Sequence, residues 1–132
     1  MATIAKKVAK QRTQKGEVVS YTVDAAGRTL GRVASEAAAI LLGKRSARYV
    51  QNKVSPVKVT IVNAKKLSVP EKRLKEKDYK RYTGYPGGLY TTTLPELIEK
   101  KGVREALRIA VDGMIPRNKL RKERMKRLTI TD

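Results

Sequence analysis

The chain has neither cysteine nor histidine among its 132 residues. The first absence excludes disulfides, thiolate nucleophiles and cysteine-ligated zinc, so the fold must stand on packing alone. The second removes the commonest general base near neutral pH and the commonest metal ligand. Tryptophan and phenylalanine are also missing, and the six aromatic residues are all tyrosine. Acids are scarce: 12 stand against 31 lysines and arginines, for a formal charge of +19. Such an excess repels itself in the folded chain and is commonly neutralised by a polyanion, which makes nucleic acid the expected partner. No apolar run approaches the roughly 20 residues of a membrane span. No segment pairs a strongly hydrophobic face with a lysine face, so a membrane surface is not expected either.

The length fits one domain with one modest core. Residues 1–18 read as a basic N-terminal arm, with Lys6, Lys7, Lys10, Arg12 and Lys15 and without the long apolar core of a secretory signal. Residues 19–132 read as a single α/β domain. Its organising stretch is residues 21–43. Tyr21, Thr22 and Val23 are strand formers, Ala25-Ala26-Gly27 turns the chain, and Thr29 stands at an N-cap position. From Leu30 the apolar residues Val33, Ala34, Ala37, Ala38 and Leu41 recur at helical spacing until Gly43, which suits a helix end. A face so rich in alanine can lie close against a sheet. Residues 57–63 alternate, with Val57, Val59 and Ile61 facing one way and Lys58, Thr60 and Val62 the other, as in a strand with a partly wet face.

Basic residues cluster outside these elements. Lys44, Arg45, Arg48 and Lys53 follow the helix with no acid among them, and a denser run includes Lys72, Arg73, Lys75, Lys80 and Arg81. Tyr79, Tyr82, Tyr85 and Tyr90 surround Pro86-Gly87-Gly88. Paired glycines allow close approach of backbone to a ligand, and tyrosines beside arginines can stack on bases. The plainer alternative is a turn whose tyrosines seal the edge of the core. Next, Thr93 and Glu96 form a capping box, with Pro95 in the first turn of a helix that ends near Gly102. Val103, Ala106, Leu107, Ala110, Val111 and Met114 mark a second helix, stopped by Pro116. Residues 117–127 then carry Arg117, Lys119, Arg121, Lys122, Arg124, Lys126 and Arg127, with Leu120 and Met125 as apolar anchors. They read as a basic helix before the strand-like Leu128-Thr129-Ile130.

Two enzymatic readings are weak. Gly27 and Gly31 lie between a strand and a helix, but no dinucleotide fingerprint or P-loop is present. Gly27 serves the turn more simply, and Gly31 close helix packing. Asp24 ends the first strand, where an α/β enzyme often keeps an acid, yet no second acid or base converges on it in the sequence. It suits bonding to turn amides. A DNA-binding module would show a helix-turn-helix or zinc signature, and neither is clear.

Several short blocks in order carry a resemblance. Val23-Asp24-Ala25 and Gly27, residues 29–35, residues 59–64, residues 82–89 and residues 110–116 resemble the bacterial large-subunit ribosomal protein L-thirteen family. The resemblance runs from about residue 21 to residue 130. It implies a three-layer α/β/α fold with a short, mainly parallel four-stranded sheet. It also implies binding to 23S-type large-subunit ribosomal RNA beside neighbouring ribosomal proteins, a part in early subunit assembly, no catalysis, no cofactor and no small-molecule substrate. The place implied is the ribosome in the cytoplasm, with the Pro-Gly-Gly loop and the basic end of the chain against RNA. This chain departs from the family pattern at Ser20, at Ser55-Pro56, at Pro70-Glu71, at Arg81-Tyr82 and at Leu120-Arg121-Lys122, and it lacks the histidine-containing tail.

Overall fold

The computed structural model describes residues 18–132. The expected N-terminal arm therefore lies outside the described residues, save for Val18. Strand β1 (Val19–Asp24) leads through the Gly27 turn, where φ is +66°, into helix α1 (Leu30–Leu41). Strand β2 (Val57–Val62) follows a long loop. Asn63, left-handed at φ 58°, then turns the chain into one 3₁₀ turn. Helix α2 (Glu71–Glu76), the antiparallel strands β3 (Asp78–Tyr82) and β4 (Leu89–Thr93), and helices α3 (Leu94–Lys101) and α4 (Val103–Met114) come next. A five-residue helix α5 (Arg121–Met125) and strand β5 (Leu128–Ile130) complete the described chain.

The main sheet is parallel throughout, in the order β1-β2-β5. Its register sets Val19, Tyr21 and Val23 beside Val57, Val59 and Ile61, and places Leu128 and Ile130 beside Val59 and Ile61. One face thus gathers nearly all the apolar side chains of the sheet. Helix α1 lies on β1 and β2 with Leu30, Val33, Ala34, Ala37, Ala38 and Leu41 buried, and its small alanines let it come close. Helix α4 packs directly on α1 through a core that includes Ala106, Leu107 and Val111. Helix α3 adds Leu94 and Leu97 against α4. Each fully buried Leu, Ile or Val contributes roughly 1.5–3 kcal/mol relative to exposure, so this single cluster is what holds the elements together.

The α/β class and the mainly parallel sheet agree with expectation, while two details do not. The sheet has three strands. Ser68, in the stretch from which a fourth strand would come, makes only one parallel bridge to Thr29, because Pro70 ends the run. Strands β3 and β4 form a ribbon of their own. The helices also lie on one side: α1 and α4 touch each other directly, and the opposite face, lined by Ser20, Thr22, Asp24, Lys58, Thr60, Val62 and Thr129, has no buried residue. The described residues therefore make a sheet covered on one face, where three layers were expected. Parallel sheets usually cover both faces with apolar side chains; here the alternation of β2 supplies them to one face only.

Candidate nucleic-acid interface

The first basic patch sits on the loop between α1 and β2. Gly43 turns the chain out of α1 at φ +83°, and a Cβ there would fall 2.0 Å from Ser55 Oγ. The two ends of the loop therefore meet. Lys44, Arg45, Arg48 and Lys53 are all exposed on it. Arg45 is partly engaged: it pairs with Glu36 at 2.9 Å and lies over the Tyr21 ring at 5.7 Å, while Glu36 also holds Arg28 at 2.7 Å. Exposed pairs of this kind are weak and exchange readily for a phosphate.

The second patch does not have the form expected. Only Arg121–Met125 is helical, after a turn in which Asn118 Oδ1 accepts the Leu120 N–H at 3.2 Å. Three of its arginines are turned toward the protein. Arg121 donates from Nε to Asp112 Oδ1 at 2.6 Å and pairs with the other Asp112 oxygen through Nη2. Arg124 is 1% exposed and donates from Nη2 to the carbonyls of Gln51 and Lys53, at 3.3 and 3.5 Å. Arg127 Nη1 donates to the Ser55 carbonyl at 2.5 Å. The expectation that Arg124 faces RNA is thus corrected, because a long flexible stem lets a guanidinium reach inward to backbone oxygens. The segment is also better anchored than Leu120 and Met125 alone suggested.

The remaining charges face outward around a groove of about 960 Å³. Arg117, Lys119, Lys122 and Lys126 line it with Arg108 of α4, which pairs with Glu105 at 3.6 Å, and with the Asp112–Arg121 pair, over apolar Ile109 and Met125. Arg108 and Lys126 were not among the expected site residues. Arg108 lies off the buried face of α4, three residues from Glu105 and four from Asp112, and this spacing is the signal that places it at the groove. A second cleft has Val50, Gln51 and Asn52 on one side and Asn118, Lys119 and Leu120 on the other. The two segments, distant in sequence, face each other across this cleft, where Lys119 is the one basic residue of its lining.

Lys72, Arg73, Lys75, Lys80 and Arg81 are exposed on α2 and β3. None of the clefts described above includes them. The β3-β4 ribbon carries Tyr82 beside Leu89 and Arg81 beside Tyr90, so aromatic side chains occur on both of its faces. Tyr85 at its tip is 74% exposed, and Tyr82 and Tyr90 are 63% exposed. These three tyrosines do not seal the core; only Tyr79 is partly buried there, where burial raises its phenol pKa. The paired glycines differ. Gly87 is exposed at φ +75° with open space around it. Gly88 is buried, and a Cβ there would lie 2.0 Å from Thr83 Oγ1 and 2.9 Å from the Tyr85 carbonyl oxygen. Gly88 therefore serves the turn and offers no face to a ligand.

At the carboxyl ends of the strands, where open α/β sheets bind ligands, the polar groups are committed to each other. Asp24 Oδ1 accepts from the Ala26 N–H at 3.0 Å and from Asn63 Nδ2 at 2.9 Å, and these bonds lower its pKa. This is the turn role expected of it. Asp132 receives Arg104 at 2.6 Å and Lys65 at 3.2 Å, and the bond from Arg104 leads in lowering its carboxyl to about 2. Gly31 does not serve close packing, since a Cβ there would meet nothing within 4 Å. Among the described residues no group of three acids could hold a metal, and no helix is long and apolar enough to cross a membrane.

Comparison with known proteins adds an independent finding. A family model described as Ribosomal protein L13 matches residues 19–131. The chain is 41% identical over 110 residues to the large ribosomal subunit protein uL13 of Symbiobacterium thermophilum, covering 83% of this chain and 76% of that protein. It is 42% identical over 110 residues to the protein of the same name from Geobacter sulfurreducens, with 83% and 76% covered. The corresponding protein of a Sulfurihydrogenibium species is 43% identical over 110 residues, with 83% and 73% covered.

Proposed function

This chain belongs to the ribosomal protein L13 family, and from that premise we propose that it binds large-subunit ribosomal RNA and supports early assembly of the subunit. As a large-subunit ribosomal protein it is not an enzyme, and its place is the ribosome in the cytoplasm. One observation supports the binding mode most: the loop 44–53, with Lys44, Arg45, Arg48 and Lys53 exposed, faces the basic segment 117–126 across the Val50–Leu120 cleft. Lys44, Lys53, Arg117, Lys119 and Lys122 neutralise phosphates there, with Arg45 and Arg48 on the same loop. Lys72, Arg73, Lys75, Lys80 and Arg81 make a second contact zone, in which Tyr82, Tyr85 and Tyr90 stack on unpaired bases beside the exposed Gly87. Neighbouring ribosomal proteins are the other partners. Residues 1–18 act as a basic arm and residues 19–132 as the folded domain.

The test is binding of the protein to large-subunit ribosomal RNA across a salt series. Each neutralised phosphate changes the log–log slope by about 0.7–0.9, so engagement of several lysines and arginines together gives a steep fall in affinity. A flat dependence on salt would remove the electrostatic mechanism. Failure of the protein to co-sediment with large subunits after a moderate salt wash would remove the assembly role.

A further inference from the structure

We infer that Arg124, assisted by Arg127, is an internal clasp that sets the shape of the basic loop 44–55 and so positions a surface that Arg124 itself never touches. The inference rests on the RNA-binding reading for its functional consequence, and on the free protein's structure for the clasp itself. Arg124 is 1% exposed and has no carboxylate partner among the described residues; its Nη2 reaches only the carbonyls of Gln51 and Lys53, and its Nε–H has no protein partner. A buried guanidinium without a counter-charge is costly, and a methionine or leucine would fill the same space without that cost. Both bonds leave Nη2, whose two N–H groups lie fixed in the guanidinium plane and so hold the two carbonyls in one relative orientation, which a rotating ammonium does not do.

Those carbonyls belong to a loop whose own bonds are local turns, Ser46 N–H to Gly43, Tyr49 N–H to Ser46 and Lys53 N–H to Val50, with Arg45 on Glu36 as an exposed tie to α1. All residues of 44–53 are exposed, including Tyr49 at 39% and Val50 at 45%. Closure at the base comes from Gly43 against Ser55, and from Arg127 on the Ser55 carbonyl at 2.5 Å. The two arginines thus grip three carbonyls of the loop from a single short stretch, α5 and its exit. The same stretch leads back to the Asn118–Leu120 turn that faces Val50, Gln51 and Asn52. A loose loop would move Lys44, Arg45, Arg48 and Lys53 relative to Lys119 without removing a single exposed charge. Arg124 is in this sense a positioning residue.

The test has two readouts. In the free protein, Arg124→Met should raise amide exchange across residues 46–55 at least tenfold while α1 and α4 keep their protection, and Arg124→Lys, which keeps the charge and loses the planar pair of N–H donors on Nη2, should fall between. Unchanged exchange in the loop would overturn the clasp. On ribosomal RNA, Arg124→Met should weaken binding about tenfold, and neutralising Lys44 and Lys53 together should then cost clearly less than in the wild type, since a loose loop no longer presents them as a set. Fully additive losses would overturn the positioning role. If Arg124→Met does not fold, Arg127→Met carries the same tests, because Arg127 is only partly buried and its loss removes the side-chain grip on the Ser55 carbonyl, which keeps the Val57 N–H. Absence of RNA binding by the wild-type protein would instead defeat the RNA reading and leave the exchange result to decide the clasp.

Discussion

Replacing Gly43 by alanine tests whether the basic loop is closed by steric fit at its base. Two separate costs arise. The residue is at φ +83°, where an L side chain crowds its own carbonyl, a strain of about 1–2 kcal/mol. The new Cβ would also lie 2.0 Å from Ser55 Oγ and 2.7 Å from Ser55 Cβ. Contacts that short force the loop base apart, an overpacking cost of about 1–3 kcal/mol. Together the expected loss is about 3.5 kcal/mol, the sum of the two mid-range costs. At a few degrees per kcal/mol for a domain of this size, the melting temperature should fall by roughly 10 °C.

The two costs separate in a double-mutant cycle. Ser55→Gly removes both atoms that the new Cβ would meet and leaves the φ strain in place. In that background Gly43→Ala should cost only about 1–2 kcal/mol, so the coupling between the sites is the overpacking cost of about 1–3 kcal/mol. Urea unfolding of the four proteins, followed by circular dichroism, measures it. A cost for Gly43→Ala that is the same in both backgrounds would show that Ser55 does not close the loop. A cost well under 1 kcal/mol in the wild type would refute the geometry of the base altogether.

Other outcomes follow from single contacts. Asp132 is held at about 2 by Arg104 and Lys65, so its folded value lies below the unfolded one; its contribution to stability is complete above about pH 4 and is lost as pH falls through about 2. Carbon NMR of its carboxyl should give that midpoint, and a value near 4 would remove the tie between β5 and α4. Gly88→Ala should destabilise the β3-β4 ribbon by about 1–3 kcal/mol through its contact with Thr83, whereas Gly87→Ala should cost about 1–2 kcal/mol of backbone strain alone. Partial relief of the first loss, the Tyr85 carbonyl remaining 2.9 Å away, and no relief of the second by Thr83→Ala would confirm the difference, and equal behaviour would refute it. Charge reversal at Lys122 should weaken RNA binding with little change in melting temperature, while Arg121→Glu should lower both, because it places an acid against Asp112; a melting temperature unmoved by Arg121→Glu would refute the inward role of that arginine.

Much of the fold was legible because its regular elements bury one face each. The period of α1, from Leu30 to Leu41, and of α4, from Val103 to Val111, matches their buried sides. The capping box of Thr93 and Glu96 starts α3 where the sequence placed it. The alternation of β2 even showed that Lys58, Thr60 and Val62 would leave one sheet face wet. The middle of the chain was not legible for the converse reason. Helix α2 half-buries Leu74 alone, and the ribbon holds Tyr82, Leu89 and Tyr90 in the open, so neither leaves an apolar period to read. The pairing of Tyr82 with Leu89 is set by a turn around Gly84, Gly87 and Gly88, whose backbone angles the sequence does not print.

The candidate site was legible in sign and not in direction. A run such as Arg117, Lys119, Arg121, Lys122 and Arg124 states how much charge is present; which of those stems turns inward depends on acceptors supplied by distant parts of the chain. Asp112 claims Arg121 from nine residues away, and the carbonyls of Gln51 and Lys53 claim Arg124 from more than seventy. Backbone carbonyls are acceptors that every residue carries, so no sequence pattern marks the ones that will be used. Lysine is the more reliable indicator of an outward charge, since its compact, strongly hydrated ammonium gains less from leaving water than a guanidinium does. In the segment 117–127 the sorting follows that rule: the lysines all remain exposed, and three of the four arginines are drawn in. The arginines so captured still matter to an interface, because they fix the backbone from which the lysines reach.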